Sequence, residues 1–156
     1  MRIALIAILL SLLSGQAALA ADPPCLGAAS QVRLVIAIEN VKSRSGTIMV
    51  TVYPDDPERF LKRGGPIRGL SGLAVPAAAP VTQVCVWLPE PGRYGISIYH
   101  DANTNRRFDQ NFIGLPTEGF GFSNNPATLV GPPGFDAAAF RAGAGDTAIS
   151  IRMRYL

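Results

Sequence analysis

The sequence predicts an all-β antiparallel sandwich of about seven strands with Greek-key-like connections and long loops. Three observations carry this. Apolar residues recur with period two wherever the chain is regular, glycine and proline punctuate the stretches between, and only Pro57 to Lys62 and Asp136 to Arg141 suit a helical turn or two.

Val32, Leu34, Ile36 and Ile38 alternate with Arg33, Ala37 and Glu39, the pattern of a half-buried strand. Beyond Ser43-Arg44-Ser45-Gly46, Ile48, Val50 and Val52 alternate with Thr47, Met49, Thr51 and Tyr53, so 32–53 reads as a hairpin or two neighbouring strands. Val81 to Leu88 forms a third strand, with Val84, Val86 and Leu88 on one face and Gln83, Cys85 and Trp87 on the other. The turn Pro89-Glu90-Pro91-Gly92 leads into a fourth, Arg93 to His100. Ala148 to Tyr155, with Ile149, Ile151, Met153 and Tyr155 in register, closes the domain.

The N-terminus sets the compartment. Arg2, the apolar run Ile3 to Leu13 and the ending Ala18-Leu19-Ala20 make a secretory signal peptide over residues 1–20, cut after Ala20. The run is shorter than the ~20 residues that a bilayer core requires, so no transmembrane anchor is expected after cleavage. Residues 21–156 remain as one β domain, periplasmic or secreted. Lys and Arg total 14 against 11 Asp and Glu, and they are scattered, so nucleic-acid binding has no electrostatic footprint.

Cys25 and Cys85, the two cysteines of an exported chain, read as one disulfide, with two buried free thiols as the alternative. Closing that loop would contribute about 4 kcal/mol. Without a C-x-x-C spacing, redox catalysis and cysteine-rich zinc sites lose their usual warrant.

The concentrated polar feature is Asp101-Ala-Asn103-Thr-Asn105-Arg-Arg-Phe-Asp109. Asp101, Asn103, Asn105 and Asp109 put side-chain oxygens at positions one, three, five and nine of a calcium loop, and Arg107 offers its carbonyl at position seven. Position six, where a sharp turn wants glycine, is Arg106, and position twelve, where a bidentate glutamate belongs, is Phe112. Any calcium would bind weakly unless Glu118 folds back to complete the shell. The metal-free alternative is an Asx-turn loop whose side chains cap backbone N–H groups.

His100, the only histidine, is either a hydrogen-bonded residue at the core rim or a base working with Asp101, Asp109 or Glu118; Ser123 is a further group that could approach it. From Phe112 to Asn125 glycines alternate with aromatics, so Phe120 and Phe122 either stack on a ligand such as a sugar or plug the end of the sandwich.

The run Tyr99-His100-Asp101-Ala-Asn103-Thr-Asn105, then Phe108-Asp109 and Asn111-Phe-Ile-Gly114-Leu-Pro116-Thr-Glu118-Gly119-Phe-Gly121-Phe-Ser123-Asn124-Asn125, resembles the DUF2141 family of exported bacterial proteins. The likeness extends over most of residues 21–156. The family pattern reads H-D-x-N-x-N-G-x-x-D, and this chain has Arg106 at the glycine. The resemblance implies a secreted or periplasmic domain of the immunoglobulin-like or transthyretin-like class and implies no established activity.

The leading expectation is a non-enzymatic envelope module that binds a glycan or another envelope protein through the region 100–125, with His100, Glu118, Phe120, Phe122 and Asn124 as ligand-binding candidates. A weak calcium-binding domain and an enzyme built on His100 are the alternatives.

Overall fold

A computed structural model describes residues 23–129 and 131–156. The expected signal peptide and its expected cleavage site lie outside the described residues. The elements run β1 (Cys25–Leu26), β2 (Val32–Glu39), β3 (Thr47–Tyr53), β4 (Leu73–Pro76), β5 (Val81–Leu88), β6 (Gly92–Asp101), β7 (Phe120–Phe122), α1 (Phe135–Ala138), β8 (Phe140–Ala142) and β9 (Gly145–Arg152).

These strands form two sheets, ordered β1-β5-β2-β9 and β4-β3-β6-β7, with β8 also paired to β6. Val32, Leu34, Ile36 and Ile38 from the first sheet and Ile48, Val50, Val52, Ile96 and Ile98 from the second share one buried cluster. The period-two pattern thus marks the face each strand turns to the common core. Backbone bonds between Phe120 and Arg154, 2.9 and 2.8 Å, stitch the two sheets along one edge.

Four expectations need correction. The pairing is mixed, because β2 runs parallel to β9 and β1 parallel to β5. Strands β2 and β3 are not paired: β2 lies between β5 and β9, and β3 between β4 and β6. The segment between them crosses from one sheet to the other, ending at Gly46 (φ 70), where a Cβ would fall 1.9 Å from the Asp101 carbonyl oxygen. Nine strands form among the described residues; β1, β4, β7 and β8 are too short to show a period. Helix is confined to Phe135–Ala138, and Arg141 lies in β8, while Pro57 to Lys62 folds as turns such as Arg59 N–H to the Asp56 carbonyl, 3.1 Å.

Cys25 and Cys85 are joined, and they are register partners in the parallel pair β1–β5. The second sheet turns Tyr53, Ser97, Tyr99, Phe120 and Phe122 outward. Phe60 and Phe135 cover part of this outer face, Phe60 lying over Gly95, where a Cβ would come within 2.9 Å of its ring.

Candidate functional site

Strand β6 ends in Asp101, which is fully buried, and its carboxylate organises the loop that follows. Oδ1 accepts Asn105 N–H at 3.0 Å and Oδ2 accepts Arg106 N–H at 2.8 Å. These charge-assisted bonds hold Thr104 (φ 60) and Arg106 (φ 59) in the left-handed region, which costs an L-residue about 1–2 kcal/mol. The sharp turn at position six therefore forms without glycine.

Asn103 Oδ1 accepts Asn105 N–H at 3.1 Å, and Asn105 Oδ1 accepts Arg107 N–H at 2.7 Å. Both amide nitrogens then donate to Asp109 Oδ2, at 2.7 and 2.8 Å. Asp101, Asn103, Asn105 and Asp109 are thus gathered by Asx-type bonds, with Arg107 alongside.

Glu118 closes the loop from outside. It is 8 % exposed; its Oε2 accepts Asp109 N–H at 3.1 Å, while Oε1 has no hydrogen-bond partner among the described residues. Burial pushes the Glu118 carboxyl above its ordinary range; the backbone N–H of Asp109 opposes this, the Asp109 charge adds to it, Ala102 N–H opposes it and the Asp101 charge adds to it. Tyr99 is also raised, by burial first and then by the charges of Asp101, Glu118 and Asp109. Among the described residues no three His, Cys, Asp or Glu side chains are placed to hold a metal ion.

His100 is 3 % exposed and bonded at both ring nitrogens: Nε2 to the Ser45 carbonyl at 2.7 Å and Nδ1 to the Tyr155 hydroxyl at 2.8 Å. A carbonyl only accepts, so the hydrogen of the neutral ring sits on Nε2 and Nδ1 accepts from Tyr155. Tyr155 in turn accepts Lys42 N–H at 3.1 Å. This chain ties β6 to the end of the chain and leaves neither nitrogen for a substrate. Ser123 is fully buried; its Oγ accepts Ile96 N–H at 2.8 Å and donates to the Ala138 carbonyl. Neither Ser123 nor Asp101 hydrogen-bonds to His100.

Phe120 and Phe122 lie outward on β7, opposite Tyr99 and Ser97 of β6, and are half-buried. The polar loop drops Phe108 onto them: its ring centroid is 5.6 Å from Tyr99 and 6.0 Å from Phe120. Two adjoining hollows of about 420 and 780 Å³ share Phe108, Phe120, Phe122 and Pro132 in their walls and so form one groove. Its wider end carries Lys42, Arg152 and Arg154, and no Asp or Glu side chain is among the groove's lining residues. Lys42 lies over the Tyr155 ring, and Arg154 donates to Thr128, whereas the Arg152 side chain is exposed.

Beside the groove a turn capped by Asn111 Oδ1 presents Phe112, 98 % exposed. His100, Glu118 and Asn124 do not line the groove; Asn124 donates to the Ala137 carbonyl at 3.0 Å. Phe108, Tyr99, Arg152 and Arg154 escaped sequence reasoning, though the outward parity of Tyr99 with Phe120 and Phe122 was a usable signal.

The family described as an uncharacterized protein conserved in bacteria, DUF2141, matches residues 36–150. The chain belongs to the DUF2141 family. The DUF2141 match takes in the polar loop, Glu118 and β7, whereas Cys25 and Tyr155, the partners of Cys85 and His100, lie outside it. No curated protein and no solved structure matches the chain at a significant level.

Proposed function

We propose that this chain is an exported, non-catalytic binding module of the cell envelope, periplasmic or secreted, whose ligand seats in the groove over Phe108, Phe120 and Phe122. The module is residues 21–156 after removal of the leader, an immunoglobulin-like or transthyretin-like sandwich. The Cys25–Cys85 bond supports export, since such bonds persist in oxidising compartments. Among the described residues no helix is long and apolar enough to cross a membrane.

The observation that carries the reading is an aromatic floor running into a cationic end. Ring faces favour an apolar surface, and Lys42, Arg152 and Arg154 favour oxygen anions. A glycan bearing carboxylate groups offers both, a stacking ring face and charge at its edge. The hydrogen bonds at both nitrogens of His100 support a binding role over catalysis, because a general base needs a free lone pair. A segment of an envelope protein is the second occupant, favoured by the exposed Phe112 and Leu129 at the rim.

Calorimetric titration with trigalacturonic acid and with neutral maltotriose tests this. The acidic sugar is expected to bind and the neutral one to bind more weakly. Phe120→Ala and Arg152→Glu should each weaken binding about tenfold, the worth of one stacking or charge contact. Binding unchanged in both variants, or absent altogether, overturns the assignment.

A further inference from the structure

We propose that the hairpin tip Phe112-Ile113-Gly114-Leu115 is a membrane-docking knob, which sinks its apolar side chains into the surface of an anionic lipid bilayer while neighbouring Lys and Arg side chains meet the headgroups. The proposal rests on the hairpin and the residues around it and stands whether or not the groove takes a glycan.

Residues 109–117 fold as a small hairpin. Thr117 N–H donates to the Asp109 carbonyl at 3.0 Å, Gln110 bridges Pro116, and Asn111 N–H donates to the Leu115 carbonyl at 2.8 Å. At the tip Gly114 (φ 80) makes the reversal and gives its N–H to the Asn111 carbonyl at 2.9 Å. Asn111 Oδ1 takes the N–H groups of Ile113 and Leu115 at 3.1 and 2.9 Å. The tip is thus braced from inside, and the N–H groups of Ile113, Gly114 and Leu115 have acceptors of their own. Moving them out of water costs little, because a desolvated N–H is expensive only when it lacks an acceptor.

This braced turn holds large apolar side chains in water: Phe112 is 98 % exposed, Ile113 64 % and Leu115 47 %. None of them gains the fold much burial, and turns ordinarily carry polar residues. Further exposed apolar side chains gather beside them, since Phe108, Leu129 and Leu156 line the wide hollow together with Leu115.

The charge around the knob selects the partner. Lys42, Arg152 and Arg154 wall the same hollow as Gly114 and Leu115, and the exposed Arg106 and Arg107 lie at the foot of the hairpin. Asp109 at that foot is half-buried, with Oδ2 held by the amides of Asn103 and Asn105, and Glu118 just beyond is buried. An apolar knob among cations complements a bilayer with anionic headgroups, where affinity grows with the apolar area buried and with each Lys or Arg at the surface. So narrow a tip suits lipid better than protein: a stable protein interface takes about 800 Å² from each partner, and Phe112 offers about 150–250 Å².

The test is co-sedimentation of the purified protein with vesicles of phosphatidylglycerol mixed into phosphatidylcholine, against phosphatidylcholine alone. At low salt the anionic vesicles should bind the protein at least about fivefold more strongly, the worth of one basic contact. Phe112→Ser combined with Ile113→Ser should cut partitioning about tenfold or more, the worth of burying one large apolar side chain, with an unchanged melting temperature because both positions are exposed. Arg106→Gln combined with Arg107→Gln should reduce the preference for anionic vesicles severalfold. Phe112→Trp gives a second measurement: its emission should move to shorter wavelength on the vesicles, beyond any change from Trp87 in the parent. Failure of the anionic vesicles to bind the parent overturns the proposal, as does equal binding by the Phe112→Ser, Ile113→Ser protein. If the parent instead self-associates in sedimentation velocity and the double variant does not, with no vesicle binding by either, the knob belongs to a contact between copies of the chain and the proposal fails. No sugar is present, so the outcome is independent of the trigalacturonic acid titration.

Discussion

Asp109 donates its backbone N–H to Oε2 of Glu118 at 3.1 Å, and the same carboxylate leaves Oε1 buried with no hydrogen-bond partner among the described residues. This bond joins the polar loop to the segment that enters β7, so the charged part of the molecule and its aromatic groove share one hinge point. The Glu118 charge is then a cost to the fold.

That cost is measurable as a pH effect. The folded Glu118 holds its proton more tightly than the usual value near 4.5. Its contribution to stability is therefore fully present below that value and is lost as pH rises through the raised one. Glu118→Gln should be more stable than the parent by about 1 kcal/mol at neutral pH, with the difference vanishing in acid. Urea titrations at several pH values check this; a variant less stable than the parent at neutral pH would refute it.

Arg106→Gly should relieve the left-handed strain of about 1–2 kcal/mol, partly offset by about 0.5–1 kcal/mol of added chain entropy. It also removes a positive charge from the loop. The expected outcome is stability equal to or slightly above the parent, read by denaturant unfolding.

His100→Ala removes bonds to the Ser45 carbonyl and the Tyr155 hydroxyl and leaves both groups short of a partner. The expected loss is about 2–4 kcal/mol, and Tyr155→Phe should lose about 1 kcal/mol. Denaturant unfolding reads both. A His100→Ala variant within 0.5 kcal/mol of the parent (about the scatter of a neutral surface change) would contradict the structural role.

Replacing Cys25 and Cys85 together by alanine opens a loop of 60 residues and should lower stability by about 4 kcal/mol. Dithiothreitol should have a similar effect on the parent and none on the double variant.

The long strands were legible in the sequence because each buries one face, and a two-residue period records a face. Their partners were not: Val32 to Tyr53 reads as a hairpin or two neighbouring strands, yet the chain leaves one sheet at Asn40 and enters the other at Gly46, a crossing that no period records. The polar loop was legible down to its Asx spacing. How the turn forms with Arg106 in place of glycine was not: the Asp101 carboxylate accepts two backbone N–H bonds there, which offset the strain. The groove was half legible. Phe120 and Phe122 stand out beside glycines, but Phe108 joins them only because the loop folds back, and Arg152 and Arg154 only because the segment after β9 pairs with Phe120. Burial of Glu118 is likewise a tertiary fact, invisible in a row of residues.

The central claim is that the aromatic groove is where this module meets its ligand. The most direct measurement is a ¹H–¹⁵N NMR titration of the protein with trigalacturonic acid, following backbone amides. The account predicts shifts concentrated at Phe108, Phe120, Phe122, Arg152 and Arg154. Shifts confined to the first sheet around Arg33 and Trp87, or no shifts at all, would contradict it.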